Sequence, residues 1–336
     1  MAYDAPKGPR GLPIAYTVRE LRIEPAVVLA PMEGVTDLPF RRLVRRLGGP
    51  GLTCTEFVAS TALRHGRGQM WQTARIDPDE HPVSVQLYGK DPATMAEAAR
   101  IVEATGADIC DINMGCPSKK VCRNSGGSGL MKEPELAAAI VRAVRAATSL
   151  PLTVKMRSGF DAARRNAPEI ARICEAEGAN ALTIHWRTRE DRYGGQRQVD
   201  KIAEAVQAVD IPVLGNGDVV DVASAEAMLR DTGCAGVMVG RAAMRDPWVC
   251  GRIATWLQGG TPRQPTPEER LAALLDYFDA MEAHCGRPKA ALGRMKMVSK
   301  RVLGGLPLPD ETVRTVLRSG TRAEAEDHLR TAFATL

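Results

Sequence analysis

One cysteine, Cys116, lies in a turn-forming context in the first half of the chain. The stretch 111–117 reads DINMGCP, and the glycine and proline beside Cys116 predict a loop there. A thiol in such a loop is accessible, and the basic residues Lys119, Lys120 and Arg123 would favour its thiolate or tune its acidity. Cys116 is therefore a candidate acid or nucleophile. The common alternative for a free cysteine is a small buried hydrophobic residue, and the local sequence leaves both open.

A lysine ends an apolar run further along the chain, in the sequence TVKMR. Lys155 would point inward from a strand, where an unpaired ammonium group is costly to bury. It could form a Schiff base with a carbonyl substrate, as in barrel aldolases. It could instead lie beside an anionic ring edge, such as that of a reduced flavin. A lysine that extends to solvent fits less well within so apolar a run.

Two glycine-containing turns indicate a phosphate site. Asn216-Gly217-Asp218 follows one apolar run, and Gly240-Arg241 follows the next. Glycine lets the backbone approach a ligand closely, and the arginine adds positive charge. His185 ends the preceding run and could donate to a phosphate or act as an acid, although a lone histidine is more often structural. No GxGxxG motif follows the first run, so a Rossmann dinucleotide site is not supported.

Eight apolar runs alternate with amphipathic helical patterns, and this alternation predicts a parallel sheet. Eight such repeats in this length are typical of a (β/α)8 TIM barrel, an α/β fold; a doubly wound open sheet is the main rival and usually has fewer strands. In a barrel the carboxyl ends of all strands meet at one rim, so the polar residues that end the runs should converge there. The runs are 27–32, 52–57, 83–88, 109–114, 152–156, 181–186, 213–216 and 236–240.

The chain divides into three predicted parts. Residues 1–25 are rich in proline and glycine and predict an N-terminal tail, disordered apart from a possible short hairpin. Residues 26–260 contain the strand–helix repeats of the barrel. Prolines near residue 262 end this pattern, and helical patterns fill the rest, so 261–336 should form a small C-terminal helical bundle domain.

Composition narrows the class of protein. The 336 residues are 44% hydrophobic and 25% charged, with a net charge of +5 that permits a nucleic-acid partner without requiring one. The eight cysteines form no CxxC pair, which predicts reduced thiols and a cytoplasmic protein. The even spacing of Cys110, Cys116 and Cys122 argues against a metal site. No apolar run is long enough to span a bilayer, so no membrane association is expected.

These motifs together resemble the FMN-dependent tRNA-dihydrouridine synthase family. The most specific match is the pattern D-I-N-x-G-C-P-x3-V-x5-G-S, which runs from Asp111 to Ser128. Further matches follow the family's order along residues 26–260, and the C-terminal part matches more loosely. They lie at 30–37, 55–57, 85–87, 155–157, 185–188, 216–218 and 240–241.

The resemblance implies an oxidoreductase that reduces specific uridines in tRNA to 5,6-dihydrouridine, with FMN as cofactor and NADPH as reductant. A hydride would pass from the flavin to C6 of uracil, and Cys116 would give the proton to C5. The target base would leave its stack to reach the pocket. The implied cofactor-binding residues are Pro31, Met32, Glu33, Gln86, Lys155, His185, Asn216, Gly217, Asp218, Gly240 and Arg241. The implied substrate-binding residues are Asn113, Arg157, Lys119, Lys120, Arg294 and Lys296.

The placement of basic residues agrees with a tRNA partner. Between residues 286 and 307 there are six basic residues and no acidic ones, and Arg64, Arg67 and Arg75 form a second acid-free stretch. Together with the basic residues beside Cys116, they could form a phosphate-binding track from the helical domain to the barrel mouth. Separate solvated helix faces are the alternative. We expect a monomer with no obligate protein partner.

Three other functions fit parts of the pattern. An FMN barrel acting on a free small molecule, similar to dihydroorotate dehydrogenase, would not need the basic helices. An aldolase would use Lys155 as a Schiff base and hold no flavin. A noncatalytic RNA-binding protein would need neither Cys116 nor Lys155.

Overall fold

The computed structural model describes residues 3–64, 69–122, 126–192 and 194–336. Arg67 and Arg123 lie outside these residues. The strands are β1 (Tyr16–Val18), β2 (Leu21–Ile23), β3 (Val27–Leu29), β4 (Leu52–Cys54), β5 (Val58–Ala59), β6 (Val83–Tyr88), β7 (Ile109–Met114), β8 (Leu152–Arg157), β9 (Ala181–His185), β10 (Val213–Asn216) and β11 (Gly236–Val239).

Helices follow nearly every strand of the described chain. They are α1 (Leu38–Arg46), α2 (Ser60–Leu63), α3 (Gln69–Thr73), α4 (Pro92–Ala104), α5 (Lys119–Cys122), α6 (Pro134–Ala147), α7 (Ala167–Ala176), α8 (Asp200–Ala208), α9 (Val222–Thr232), α10 (Arg241–Arg245), α11 (Val249–Leu257), α12 (Pro267–His284), α13 (Pro288–Leu303), α14 (Asp310–Arg318) and α15 (Arg322–Phe333). Short 3-10 helices lie at Pro78–Glu80 and Gly127–Lys132.

Within the described ranges, eight parallel strands close into a barrel in the order β3-β4-β6-β7-β8-β9-β10-β11, with β11 returning to β3. Nearly all of their residues are buried, as expected for parallel strands covered on both faces. The predicted TIM barrel is confirmed, and each predicted apolar run contains one of these strands. The short strand β5 pairs beside the end of β6.

The hairpin β1–β2 closes the end of the barrel opposite the polar strand ends. Tyr16, Val18 and Ile23 are fully buried, and the first two line a small cavity inside the barrel with Cys54 and Asp111. The predicted hairpin is therefore present. The expectation of disorder around it is wrong, because the floor of the barrel needs an apolar cover and these side chains provide it.

The helical segment after the barrel starts at a well-formed cap. Thr266 and Glu269 form a reciprocal capping box, and Pro267 occupies the first turn of α12. Helix α12 packs on α1 and α13 packs on α10, so the C-terminal helices rest on the barrel. The division at residue 260 stays a prediction. No helix within the described residues is long and apolar enough to cross a membrane.

A buried ion pair fixes the loop before β6 to α1. Arg41 and Glu80 are fully buried, and the guanidinium donates to both carboxylate oxygens at 3.1 and 2.7 Å. It also donates to the carbonyl oxygens of Thr36 and Arg75 at 2.8 and 2.9 Å. Breaking such a pair leaves an uncompensated charge out of water.

We expect Glu80→Gln to lower the free energy of unfolding by about 3–5 kcal/mol, because Arg41 would remain charged and buried without its partner. Glu226→Gln is the control, since Glu226 forms a partly exposed pair with Arg230 on α9 and should cost less than about 1 kcal/mol. Urea denaturation of both variants checks this. Equal losses would contradict the assigned role of the buried pair.

Candidate active site

The strand register aligns polar residues at one rim of the barrel and just beneath it. Gln86 lies opposite Asp111, and Asn113 lies opposite Lys155, across neighbouring strands. His185 is paired with Arg157 on one side and with Asn216 on the other. Residues far apart in sequence are therefore neighbours at the carboxyl ends of β6 to β10, as the barrel prediction requires.

The loop after β7 holds Cys116 at the rim, where its side chain is half-buried. The N–H groups of Gly115 and Cys116 donate to Oδ1 of Asn113 at 3.0 and 2.9 Å. The carbonyl oxygen of Cys116 accepts from the N–H and hydroxyl of Ser128 at 3.1 and 2.9 Å. These bonds fix the backbone on both sides of the thiol.

Burial raises the pKa of the Cys116 thiol, and the nearby Cys122 and Glu33 raise it further. Hydrogen bonding from the backbone of Ser118 and the charge of Arg157 oppose this rise in pKa. The thiol is therefore protonated at neutral pH. This shift is opposite in direction to the one predicted from the basic neighbours, whose side chains (Lys119, Lys120 and Arg123) lie outside the described residues. A protonated thiol suits an acid better than a nucleophile.

A chain of buried polar side chains runs from β8 to the cysteine loop. The hydroxyl of Thr153 donates to Asp111, and Nε2 of Gln86 donates to the other carboxylate oxygen at 2.5 Å. Oε1 of Gln86 then accepts from Nδ2 of Asn113 at 2.7 Å. Asp111, Gln86 and Asn113 are all buried, so these bonds are made in a low-dielectric environment.

Lys155 points into the rim, and Nζ donates to Oδ1 of Asn216 at 3.1 Å. The amide of Asn216 is oriented by its own donation to the carbonyl oxygen of Met238 at 2.8 Å. Burial, with the charge of Arg157, lowers the pKa of Lys155 to about 8, although the charge of Asp111 opposes this shift. The lysine is therefore a cation near neutral pH that loses its charge in mildly alkaline solution.

His185 is held in a defined tautomer. Its Nδ1 accepts from the backbone N–H of Arg187 at 3.1 Å, so the ring proton lies on Nε2. Burial and the positive charges of Lys155, Arg157, Arg187 and Arg241 hold the pKa of the imidazole well below its usual range. His185 is thus a neutral donor at the rim.

Arg187 and Arg241 share one carboxylate. Arg187 is buried, stacks on the ring of Trp186 at 4.0 Å and binds both oxygens of Asp218 at 3.1 and 2.6 Å. The half-exposed Arg241 donates to Asp218 at 2.9 Å. Asp218 has a φ of 53°, a conformation that its short polar side chain tolerates. Sequence reasoning matched Arg187 to the family but assigned it no role.

Gly217 forms a close approach beside His185 and Trp186. Its φ is 108°, and a Cβ atom there would lie 2.6 Å from Cδ1 of Trp186 and 2.9 Å from Cε1 of His185. Only glycine fits this position without displacing both rings. Nε1 of Trp186 is buried and has no hydrogen-bond partner within the described part of the chain.

The loop after β3 completes the rim. Pro31 and Met32 are partly buried there, and the N–H of Met32 donates to Oγ1 of Thr36 at 3.0 Å. A Cβ atom on Gly240 would lie 4.0 Å from Sδ of Met32, so the two loops touch. Glu33 is exposed and close enough for its charge to act on Cys116.

Three predicted substrate-binding cations make contacts within the protein. Arg157 is buried and donates to the carbonyl oxygens of Gly115 and Thr188 at 2.8 and 2.6 Å, so it joins the cysteine loop to the loop after β9. Arg294 donates to the carbonyl oxygen of Gly34, which ties α13 to the β3 loop. Lys296 donates to the carbonyl oxygen of Ser319 at 2.6 Å, at the end of α14. Their predicted RNA contacts stay predictions.

Comparison with known proteins finds matches along most of the chain. The profile of the dihydrouridine synthase (Dus) family matches residues 28–335. A probable tRNA-dihydrouridine synthase of Rhodobacter capsulatus is 44% identical over 276 residues, which cover 82% of this chain and 85% of the relative. The tRNA-dihydrouridine synthase B of Xanthomonas axonopodis pv. citri is 42% identical over 271 residues, which cover 80% of each chain.

Among solved structures, morphinone reductase in complex with tetrahydroNAD has a TM-score of 0.52 at 13% identity, over 76% of this chain and 92% of the reductase. That similarity shows the barrel fold alone. The profile and the identities to the relatives go further, because they extend over most of the chain. The chain belongs to the dihydrouridine synthase family.

Proposed function

We propose that this chain reduces specific uridines of tRNA to 5,6-dihydrouridine, with FMN as its cofactor and NADPH as the reductant of FMN. One observation carries the proposal: a protonated Cys116, the cationic Lys155 and the neutral donor His185 meet at one rim in a chain of this family. A cytoplasmic monomer without an obligate protein partner is part of the same proposal.

The rim residues fit FMN. Gly217 lets the backbone pack closely against the rings of Trp186 and His185, where a Cβ atom would clash, and Nε1 of Trp186 is a buried donor without a partner in the described ranges. His185, Arg241 and the backbone at Gly217 and Gly240 would hold the phosphate and ribityl chain. Pro31, Met32, Gln86 and Lys155 would contact the ring. When bound, FMN supplies the hydride that reduces the uracil ring.

Cys116 acts as the general acid. Hydride addition at C6 of uracil leaves negative charge developing at C5, and that carbon requires a proton. The thiol is protonated because burial raises its pKa, and its backbone is fixed on both sides, so the proton is held in one place. General-acid assistance of this kind contributes about 10²–10⁴-fold to a rate.

Lys155 supplies positive charge to the site. Its ammonium group is oriented by Asn216 and is too buried for water to screen it fully, so it stabilises negative charge on a neighbouring ring. The charge of Asp111 raises the pKa of Lys155, but the Asp111 carboxylate is bonded to Gln86 and Thr153. The lysine therefore remains free to respond to charge in the pocket.

The absorption spectrum of the purified protein tests the function and the acid together. We expect a flavin spectrum that bleaches with NADPH and recovers anaerobically when unmodified tRNA is added. Cys116→Ala should bleach normally and recover about 10²–10⁴-fold more slowly, because it lacks the proton for C5. Cys122→Ala is the matched control, since Ser128 still binds the carbonyl oxygen of Cys116 in that variant.

Three other outcomes of this experiment would contradict the proposal or part of it. A flavin that bleaches but ignores tRNA would replace the proposal with a small-molecule oxidoreductase. A colourless protein that takes up no FMN, with Lys155 trapped by borohydride and substrate, would replace it with an aldolase. Equal slowing in Cys116→Ala and Cys122→Ala would remove Cys116 from the role of acid.

The charge of Lys155 predicts a pH dependence of reduction by NADPH. The rate should fall as the pH rises above about 8, because the ammonium group is then lost. Binding of an anionic ring would raise the pH at which the rate falls, and would not lower it below 8, because a nearby anion favours the charged lysine. Stopped-flow bleaching across pH 6–10 measures it. Lys155→Met should be reduced slowly at every pH, with no fall in rate above pH 8, and Lys155→Arg should keep its charge throughout this range. A fall in rate above pH 8 that persists in Lys155→Met would exclude this assignment.

The tRNA-binding surface is predicted to include the exposed face of α13. Lys289 and Lys300 are exposed and lie about three helical turns apart on the same side, whereas Arg294 and Lys296 make internal contacts. Lys289→Ala and Lys300→Ala should each weaken tRNA binding and reduce the slope of log K against log salt by about 1, with kcat unchanged. Arg230→Ala on α9 is the control, and an equal loss there would argue against a defined surface.

A further inference from the structure

We propose that Asp111 is a positioning residue that sets the direction of the hydrogen bonds leading to Cys116. The inference rests on the proposed function of Cys116 and assigns a role to a residue that contacts neither the thiol nor the barrel mouth. Its carboxylate is buried beneath the rim and lines the small cavity inside the barrel.

The direction follows from the chemistry of the groups. A carboxylate accepts hydrogen bonds, so Gln86 must turn its NH2 group toward Asp111, as the 2.5 Å bond from Nε2 shows. This turns Oε1 of Gln86 toward Asn113, which must then present its own NH2 group to it, at 2.7 Å. Oδ1 of Asn113 is thereby left facing the cysteine loop.

The other end of the chain of bonds requires the same direction. The N–H groups of Gly115 and Cys116 can only donate, and both need an acceptor, which Oδ1 of Asn113 provides at 3.0 and 2.9 Å. A side-chain amide can rotate by 180° and exchange its oxygen and nitrogen at almost the same positions. Asp111 therefore excludes the rotated arrangement, in which two NH2 groups or two oxygens would face each other while buried.

Thr153 orients the carboxylate. Its hydroxyl, on the neighbouring strand β8, donates to Oδ1 of Asp111 and leaves Oδ2 for Gln86. Asp111 on β7 is paired with Gln86 on β6 and with Thr153 on β8, so the three side chains lie across three adjacent strands. The position of a catalytic loop is thus tied to the barrel itself rather than to neighbouring loops.

The test substitutes Asp111→Asn in the holoenzyme. An amide at this position offers a single acceptor oxygen to two donors, so Gln86 and Asn113 can rotate and the cysteine loop loses its acceptor. We expect reoxidation of the reduced enzyme by tRNA to slow by about 10²-fold, the usual cost of a misplaced reacting group, with little change in KM for tRNA. Asp108→Asn is the matched control. It is the same substitution three residues earlier, just before β7 begins, where Asp108 binds His81 and Val83.

A second readout does not depend on turnover. Alkylation of Cys116 by iodoacetamide, followed by mass spectrometry, should be several-fold faster in Asp111→Asn, because the loop is no longer held. Cys285 in the helical segment is an internal reference whose alkylation should stay constant. Wild-type alkylation rates at Cys116 in Asp111→Asn would overturn the proposal, whether or not turnover slows.

A double variant distinguishes a change in the direction of these hydrogen bonds from a general disturbance of the site. In Gln86→Glu with Asp111→Asn, the new amide donates to the new carboxylate, which still accepts from Asn113, so the direction toward Cys116 is restored. The double variant should have slower Cys116 alkylation than either single variant, even if Asp111→Asn alone folds poorly. A double variant no better than the single ones would also overturn the proposal. If instead wild-type enzyme is not reoxidised by tRNA, the proposed function fails, while the alkylation rates still decide the role of Asp111.

Discussion

The register of backbone hydrogen bonds from β6 to β10 is the constraint on which the site depends. It sets Gln86 against Asp111, Asn113 against Lys155, and His185 between Arg157 and Asn216. A shift of one residue in any pair would turn the polar side chains of that strand away from their partners. The apolar residues that alternate with them prevent such a shift, because they must stay buried against the outer helices. The same hydrophobic packing that stabilises the barrel therefore aligns its chemistry.

Burial gives the rim groups their chemical character. Removal from water raises the pKa of Cys116 and lowers the pKa of both Lys155 and His185. The result is one thiol that keeps its proton, one histidine that stays neutral and one lysine whose charge is easily changed. Each polar group in the chain from Thr153 to Asn113 has a partner, so the cost of burying these groups is offset by hydrogen bonds that also fix geometry.

Much of this architecture could be predicted from the sequence, because it follows from local patterns. The strand runs, the helices of the C-terminal segment and the convergence at the rim all depend on hydrophobic periodicity and on turn residues. The family resemblance added the cofactor and the reaction. The tail was misjudged because its prolines and glycines describe a flexible chain, whereas its few apolar residues, such as Tyr16, cover the barrel floor.

The contacts of long cationic side chains could not be predicted from the sequence either. A sequence shows that Arg294 and Lys296 are charged, but not that backbone carbonyl oxygens lie within reach of them. Arg157 is similar, because its partners come from loops that are distant in sequence. Asp111 was visible only as a motif residue, since its role depends on the orientation of two amides across neighbouring strands. Tertiary contacts of this kind produce no periodic pattern in the sequence.

The hairpin β1–β2 has a consequence for access to the rim. Because it covers one end of the barrel with buried side chains, the residues that the structure describes leave the opposite end as the approach to the rim. Under the proposed function, the reductant and the RNA base would therefore enter by the same opening, and they would compete for it.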